Sequence, residues 1–458
     1  TVIEYQLPKL ETPDGERVLA ENITLKIRGP EKICIVGPNG AGKTTLLKKI
    51  AAELKEREDL RVDYMPQNYE DQLDLSMDLL RLPDSCILED GTDARNYGIL
   101  QGIPECRKLF GNLLGIPTDQ IIMGGNASLN LMFDTMAFLF LFGTGGNRPW
   151  ADYRAEGRTV KFLCPVPGYD RHFRICEELG IEMIPVRLLE DGPDMNQVKE
   201  LVKNDEQIKG IWCVPLHSNP QGVCYSDAVV EELASMETAA DDFRIFWDNA
   251  YGIHHIYEEV PLKDILTACE KAGHPNRCYY FFSTSQITFP GAGVSLIAAS
   301  PDNIKELLGH MSAQTISHDK LNQLRHVQFF GTPEKILIHM QKLADLLRPK
   351  FDIVLQKLEE GIGQDSSIAS WSRPKGGYFI SLNVSDGCAK RTVELAGQAG
   401  VTLTVAGASY PYGKDPDDSN IRIAPSYPSE EELAQAMDIL ILCIKIAYLE
   451  KLLGNQPK

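Results

Sequence analysis

The amino-acid sequence predicts an α/β protein built on a mostly parallel sheet, with a smaller α+β portion after it. Two observations carry this. From Gln72 onward, short apolar strands alternate with helical stretches to about residue 330, the pattern of strand–helix–strand units. Beyond that the chain turns more helical and ends in 429–453. There Ser429 and Glu432 form a capping box behind Pro428, and Leu433, Met437, Leu440 and Ile444 follow at helical spacing. A division into 1–78, 79–330 and 331–458 follows, with no internal repeat and no Gly/Ser linker at the first join.

The first segment reads differently from the rest. Lys32-Ile33-Cys34-Ile35-Val36 is a short apolar strand leading into Gly37-Pro38-Asn39-Gly40-Ala41-Gly42-Lys43-Thr44-Thr45. A helical pattern follows, with Leu46, Leu47, Ile50, Ala51 and Leu54 on one face. Strand, G-x-x-x-x-G-K-T loop and helix together make a phosphate loop. Gly37, Gly40 and Gly42 let backbone N–H groups turn inward, Lys43 reaches the β/γ oxygens, and Thr44, followed by Thr45, ligates Mg²⁺. Gln67 in Tyr64-Met65-Pro66-Gln67 resembles the Q-loop of ABC-type ATPases, and the segment resembles the start of the second nucleotide-binding domain of an ABC-F ATPase. That likeness implies ATP and Mg²⁺ as ligands. It stops there: no Leu-Ser-Gly-Gly-Gln signature and no strand ending in Asp-Glu follow. At most weak nucleotide binding, without turnover, is the expectation.

Over 458 residues the net charge is −18 and dispersed, which argues against a nucleic-acid surface. Eleven cysteines without a C-x-x-C pair or metal-type spacing suit reduced thiols better than disulfides or zinc. No signal peptide opens the chain, and the most apolar stretches, 129–142 and 439–449, are too short or too interrupted by Asp134 and Lys445 to span a bilayer. A soluble, cytoplasmic protein is expected. The lack of an initiating Met fits a fragment or a processed chain.

The candidate functional residues follow successive strand ends, where open α/β sheets bind their ligands. Gly124-Gly125-Asn126-Ala127-Ser128 follows Ile121-Ile122-Met123 and opens the helix 129–142. Free N–H groups and a positive dipole end would meet an anion there, with a plain helix cap as the alternative. Gly168-Tyr169 follows the strand 160–164 and would place an aromatic plate over a ring, or simply pack. The strand 211–214 leads into Ser218-Asn219-Pro220-Gln221-Gly222. The strand 243–247 leads into Asp248-Asn249-Ala250-Tyr251, an acid and a phenol three residues apart. The strand 278–282 leads into Ser283-Thr284-Ser285-Gln286-Ile287-Thr288-Phe289-Pro290-Gly291-Ala292-Gly293.

With Lys375-Gly376-Gly377-Tyr378-Phe379 and Asn420-Ile421-Arg422-Ile423-Ala424-Pro425, this set resembles fold-type-I aminotransferases, which use pyridoxal phosphate. It is most similar to the aspartate aminotransferase-like branch grouped with MocR-type aminotransferases, over residues 72–458 or so. The resemblance implies that Gly125, Asn126 and Ala127, with Ser283, cradle the cofactor phosphate. It implies that Tyr169 stacks on the ring, that Asn219 and Tyr251 bind its phenolic oxygen, and that Asp248 keeps its nitrogen protonated. Arg422 would grip the substrate α-carboxylate with its guanidinium fork. Tyr97 would reach the phosphate of the neighbouring subunit in a homodimer. The implied reaction is amino transfer from an aspartate-like L-amino acid to a 2-oxo acid.

Gln286 stands where the resemblance calls for the cofactor lysine. A primary amine condenses with the cofactor aldehyde; a carboxamide nitrogen has no free lone pair and cannot. That lysine also shuttles the substrate proton, and losing a positioned base costs ~10²–10⁴-fold. The expectation is an aminotransferase scaffold, inactive or strongly impaired, that holds pyridoxal phosphate without a covalent bond. Further departures are Gln221 in place of a usual Thr, and Gly293 near the place of a phosphate-binding arginine. The amino-terminal segment of such enzymes is also missing, which should expose apolar surface on the small domain. The rival readings are an ABC-type ATP-binding protein and a non-catalytic binder of pyridoxal phosphate or amino acids.

Overall fold

Two units make up the chain, Thr1–Asp74 and Leu75–Lys458, each with its own core. The computed structural model describes residues 2–12, 17–28, 35, 42–55, 57, 85–363 and 367–454. In the first unit, β1 (Val2–Glu11) and β2 (Val18–Arg28) pair antiparallel, with Tyr5 opposite Leu25 and Leu7 opposite Ile23. The period-2 alternation turns Tyr5 and Leu7 onto one face, Leu10 is buried in the same cluster, and the helix Lys43–Lys55 lays Ile50, Leu46 and Leu54 against it. A helix runs from Lys43, as expected after the glycine-rich stretch, with Gly42 at φ +85° just before it and Thr44 and Thr45 in its first turn. Gly37, Gly40, Gln67, the 78/79 boundary and all but Ile35 of the strand 32–36 lie outside the described residues.

The second unit is organised by an eight-stranded sheet in the order β3-β10-β9-β8-β7-β4-β5-β6. These strands are β3 (Ile121–Met123), β4 (Lys161–Val166), β5 (Glu182–Leu189), β6 (Gly192–Pro193), β7 (Ile208–Cys213), β8 (Arg244–Asp248), β9 (Cys278–Ser283) and β10 (Ser295–Ala299). The central β5-β4-β7-β8-β9 run is parallel, while β10 runs antiparallel to both β9 and β3. Residues apolar on both faces demand a sheet covered on both sides. Leu163, Ile211, Ile245, Trp247 and Phe282 pack into one core, and their chain neighbours Phe162, Trp212, Phe246 and Phe281 into the other. The carboxyl ends of β4, β7, β8 and β9 therefore share one edge, with Gly124 hydrogen-bonded there to the first residue of β10 (Gly124 N to Ser295 O, 2.7 Å).

A three-stranded antiparallel sheet follows: β11 (Ala369–Trp371), β12 (Ile380–Val384) and β13 (Asn420–Ile423). The helices Pro333–Gly361 and Glu430–Gly454 cover it through Phe351, Val354, Met437, Leu440 and Ile444. The second helix starts at a reciprocal capping box: Ser429 N donates to Glu432 Oε2 (2.9 Å) and Glu432 N to Ser429 Oγ (3.2 Å). Its far side leaves Leu442, Ile446, Leu449 and Leu453 exposed in one helical stripe. Among the described residues no helix is long and apolar enough to cross a membrane, and all ten cysteines are free thiols.

At the amino end of β7, Lys209 is buried with Asp242. Its Nζ donates to Asp242 Oδ1 (2.6 Å) and to Tyr153 Oη (2.8 Å), and Trp150 Nε1 donates to Asp242 Oδ2 (2.8 Å). Full pairing is what makes these two charges tolerable in a dry interior.

Candidate functional site

Asp248, the last residue of β8, is the centre of the strand-end edge. It is 4% exposed; its Oδ2 bonds to His172 Nε2 at 2.9 Å, and its Oδ1 is buried without a partner. His172 comes from the helix Asp170–Leu179, one turn after Tyr169, and stacks on Trp212 at 4.2 Å and 7°. Tyr169 meets the His172 ring edge-on at 5.0 Å. Sequence reading missed His172, although its spacing from Tyr169 puts both on one helical face.

Around Asp248 lies a narrow recess of about 70 Å³, which Ala127, Tyr169, Asn219, Tyr251, Ser283 and Gln286 also line. Residues from five separate strand ends thus converge as the strand-end argument expects. Burial, reinforced by the Asp248 and Asp170 carboxylates, pushes the Tyr169 phenol up to about 12. Burial also pushes the Tyr251 phenol well up. Both remain protonated donors at neutral pH.

Ala127 precedes the helix Ser128–Phe142 in extended conformation with no side-chain cap, so the first N–H groups of that helix have no side-chain acceptor at its cap. Ser283 Oγ donates to Ser285 Oγ (3.2 Å), and Ser285 Oγ to Asn126 O (3.3 Å). Gly125 and Asn126 face a neighbouring recess of about 440 Å³, shared with Ala292 and Arg325. Gly293 has no room for a side chain: a Cβ there would lie 2.9 Å from Thr284 Oγ1 and 3.3 Å from Asn126 O.

Gln286 lies three residues beyond the end of β9. Its backbone carbonyl accepts from the Tyr378 hydroxyl at 2.8 Å, while its Oε1 is buried with no partner. The Gly376-Gly377 pair makes the Tyr378 approach possible, because a Cβ at Gly376 would lie 2.2 Å from His254 O and 2.7 Å from His217 Nε2. Burial holds His254 at about 3.

Arg422, in β13, reaches the site from the smaller sheet. Its Nη1 donates to Asp170 Oδ1 (3.2 Å) and Asn219 Oδ1 (3.3 Å), its Nη2 to Thr404 Oγ1 (3.4 Å), and its guanidinium lies over the Phe379 ring at 5.1 Å. Tyr97 is not brought to this recess; it is 81% exposed.

The family described as aspartate amino-transferase matches residues 42–456. An aspartate aminotransferase of Corynebacterium glutamicum is 47% identical over 384 residues, covering 83% of this chain and 88% of that protein. The chain belongs to the aspartate aminotransferase family. In the crystal structure of an aspartate transaminase from the same organism, the fold superposes with a TM-score of 0.80 at 45% identity, over 89% of this chain and 96% of that one. The fold is accordingly the fold-type-I aminotransferase fold, and membership implies amino-acid and 2-oxo-acid substrates and pyridoxal phosphate as cofactor. Separately, a zinc import ATP-binding protein of Hahella chejuensis is 40% identical over 70 residues, which is 14% of this chain and 27% of that protein.

The residues present fit that cofactor. A pyridine N–H has the unpaired Oδ1 of buried Asp248, and a phosphate has the open end of the helix Ser128–Phe142 beside two serine hydroxyls. Among the described residues no amine lines the recess.

Proposed function

We propose that this chain is an aspartate aminotransferase scaffold that takes up pyridoxal phosphate without a covalent bond and transfers amino groups weakly or not at all. One observation carries the reading: Gln286 lines the same recess as Asp248, where the chemistry needs an amine. When bound, the cofactor would supply an aldehyde carbon to receive the amino group and a ring to accept electrons from the substrate Cα.

The rest falls to the chain. Gly125, Asn126 and Ala127 at the helix start, with Ser283 and Ser285, would hold the phosphate, and Tyr97 would reach it from the second subunit of a homodimer. Tyr169 would lie on the ring, and Asn219 and Tyr251 would donate to its oxygen. Asp248 would hold a proton on the ring nitrogen, and the His172 contact fixes the carboxylate for that task. Arg422 would orient the substrate through its carboxylate. No group at 286 can accept the Cα proton, because a carboxamide is not a base near neutral pH. On this reading the cofactor-binding part is 79–330 and the smaller part 331–458.

Adding pyridoxal phosphate, dialysing and recording absorbance with and without aspartate tests the proposal. We expect a free-aldehyde spectrum that dialysis removes and that changes only with added amino acid. A cofactor band that survives dialysis, with a pyridoxyl-bearing lysine after borohydride, would refute it.

A second reading concerns 1–78 alone and rests on the helix that opens at Lys43 behind Gly42. We propose that this piece is a partial ABC-type nucleotide-binding segment, of ABC-F type, in which Gly37, Gly40, Gly42, Lys43, Thr44, Thr45 and Gln67 would meet ATP and Mg²⁺. Without a Walker B acid pair or signature loop it would not turn ATP over. Phosphate release on ATP addition would overturn that.

A further inference from the structure

Arg422 already has a carboxylate on it. Asp170 Oδ1 sits 3.2 Å from Nη1, through a single contact, where a committed guanidinium–carboxylate pair is two-pronged and about 2.7–2.9 Å long. The other two contacts are as loose, at 3.3 Å to Asn219 and 3.4 Å to Thr404, and Nε is buried with no partner at all. The guanidinium is therefore held in place by long bonds, with part of its fork unanswered.

The two partners also differ in freedom. The Arg422 side chain is 14% exposed and the Asp170 side chain 32%. Asp170 opens the helix Asp170–Leu179 directly after Tyr169, and its second oxygen lies 3.9 Å from Arg171 Nε. A small rotation would give Asp170 a new cation and water while leaving Arg422 with only its neutral contacts to Asn219 and Thr404.

We infer that Asp170 is a resident stand-in for the substrate carboxylate, resting on Arg422 when the site is empty and displaced when an amino acid or 2-oxo acid arrives. This rests on Arg422 being the carboxylate grip of the proposed function. It adds that binding is an exchange of one anion for another. The exchange keeps the guanidinium oriented between substrates and weakens every carboxylate ligand by the strength of the resident contact. Asp170 is a positioning residue, since it acts through Arg422.

The sign of one substitution decides it. Succinate, which has no amine, is titrated calorimetrically into the full chain loaded with pyridoxal phosphate, for the parent, Asp170→Asn, Asp170→Ala and Arg422→Gln. Removing the resident anion should tighten succinate about two- to five-fold in both Asp170 variants, the scale of a partly exposed ion pair. Arg422→Gln should weaken it more than ten-fold, with cofactor affinity unchanged in the Asp170 variants. Equal or weaker succinate binding by both Asp170 variants would mean that Asp170 only props the arginine, and the exchange would be wrong. If the parent takes up cofactor but neither it nor any variant binds succinate, Arg422 is no carboxylate grip and the inference falls with that role. If the parent takes up no cofactor, the proposed function itself fails.

Discussion

Two regions of this chain use the same device, a glycine-bearing turn that opens a helix, and they differ in what stands beneath it. In the second unit the turn at Gly124–Gly125 follows β3 and opens the helix Ser128–Phe142, at one edge of an eight-stranded sheet with a core on each face. In the first unit Gly42 opens the helix Lys43–Lys55, and the described residues beside it form a single hairpin with Tyr5, Leu7, Leu10 and Ile50 as the buried core. An anion at a helix start gains from dipole and N–H groups in either place. A site that does chemistry also needs groups delivered from other strands, and only the eight-stranded sheet is seen to bring them. A motif identifies a local geometry; the sheet decides whether that geometry has partners.

The largest effect should come from giving the second region its missing reagent. Gln286→Lys should make the cofactor covalent, as borohydride reduction and peptide mass would show. It should also raise aspartate-dependent amino transfer by at least ~10²-fold, the scale of one positioned base. Failure to gain either would break the claim that the absent amine is what limits this region.

Next in size is the framework below the site. Lys209→Met removes one half of a buried pair, stranding Asp242 with only Trp150 as donor. A loss of about 3–5 kcal/mol in denaturant unfolding is expected for breaking such a pair.

Acid should then separate the regions, because the buried histidines lie in the second one. Burial holds His217 and His254 at about 3 and His326 at about 4. Their unfolded counterparts titrate near 6.5, so below that pH the unfolded chain takes up protons that the fold refuses. Stability should be full above about pH 6.5 and fall by a few kcal/mol per group on the way to pH 4. His326→Gln should flatten the pH slope of stability; an unchanged slope would show that this histidine is not held neutral.

The smallest effect should follow loss of the first region. Deleting residues 1–74 should leave the thermal midpoint of the remainder within about 2 °C, and Lys43→Ala should leave cofactor uptake unchanged. A large change in either would mean that the two units depend on each other.

Much of the second region was legible in the sequence because its site is a set of strand ends. Asp248, Asn219, Tyr169 and Gln286 each follow an apolar run, and that alone puts them on one edge. The Ser429–Glu432 box was readable for the same local reason. What escaped was pairing at a distance. Asp170 meets Arg422 across 252 positions, and no local pattern announces that contact. His172 needed only a three-residue step from Tyr169, but a lone histidine on an apolar helix face has an ordinary packing explanation. The β1–β2 hairpin has plain period-2 alternation in Glu4-Tyr5-Gln6-Leu7, and the stronger phosphate-loop pattern nearby drew the reading away from it.

The hydroxyl of Tyr378 grips the main chain at Gln286 rather than its side chain, so the grip is indifferent to which residue sits there. It ties the loop entering β12 to the loop leaving β9. Any swing of the smaller sheet, ligand-driven or thermal, would therefore tug on the backbone of a residue that lines the recess. The bond works as a mechanical tie rod, and a chain that had lost its reagent would still keep the linkage.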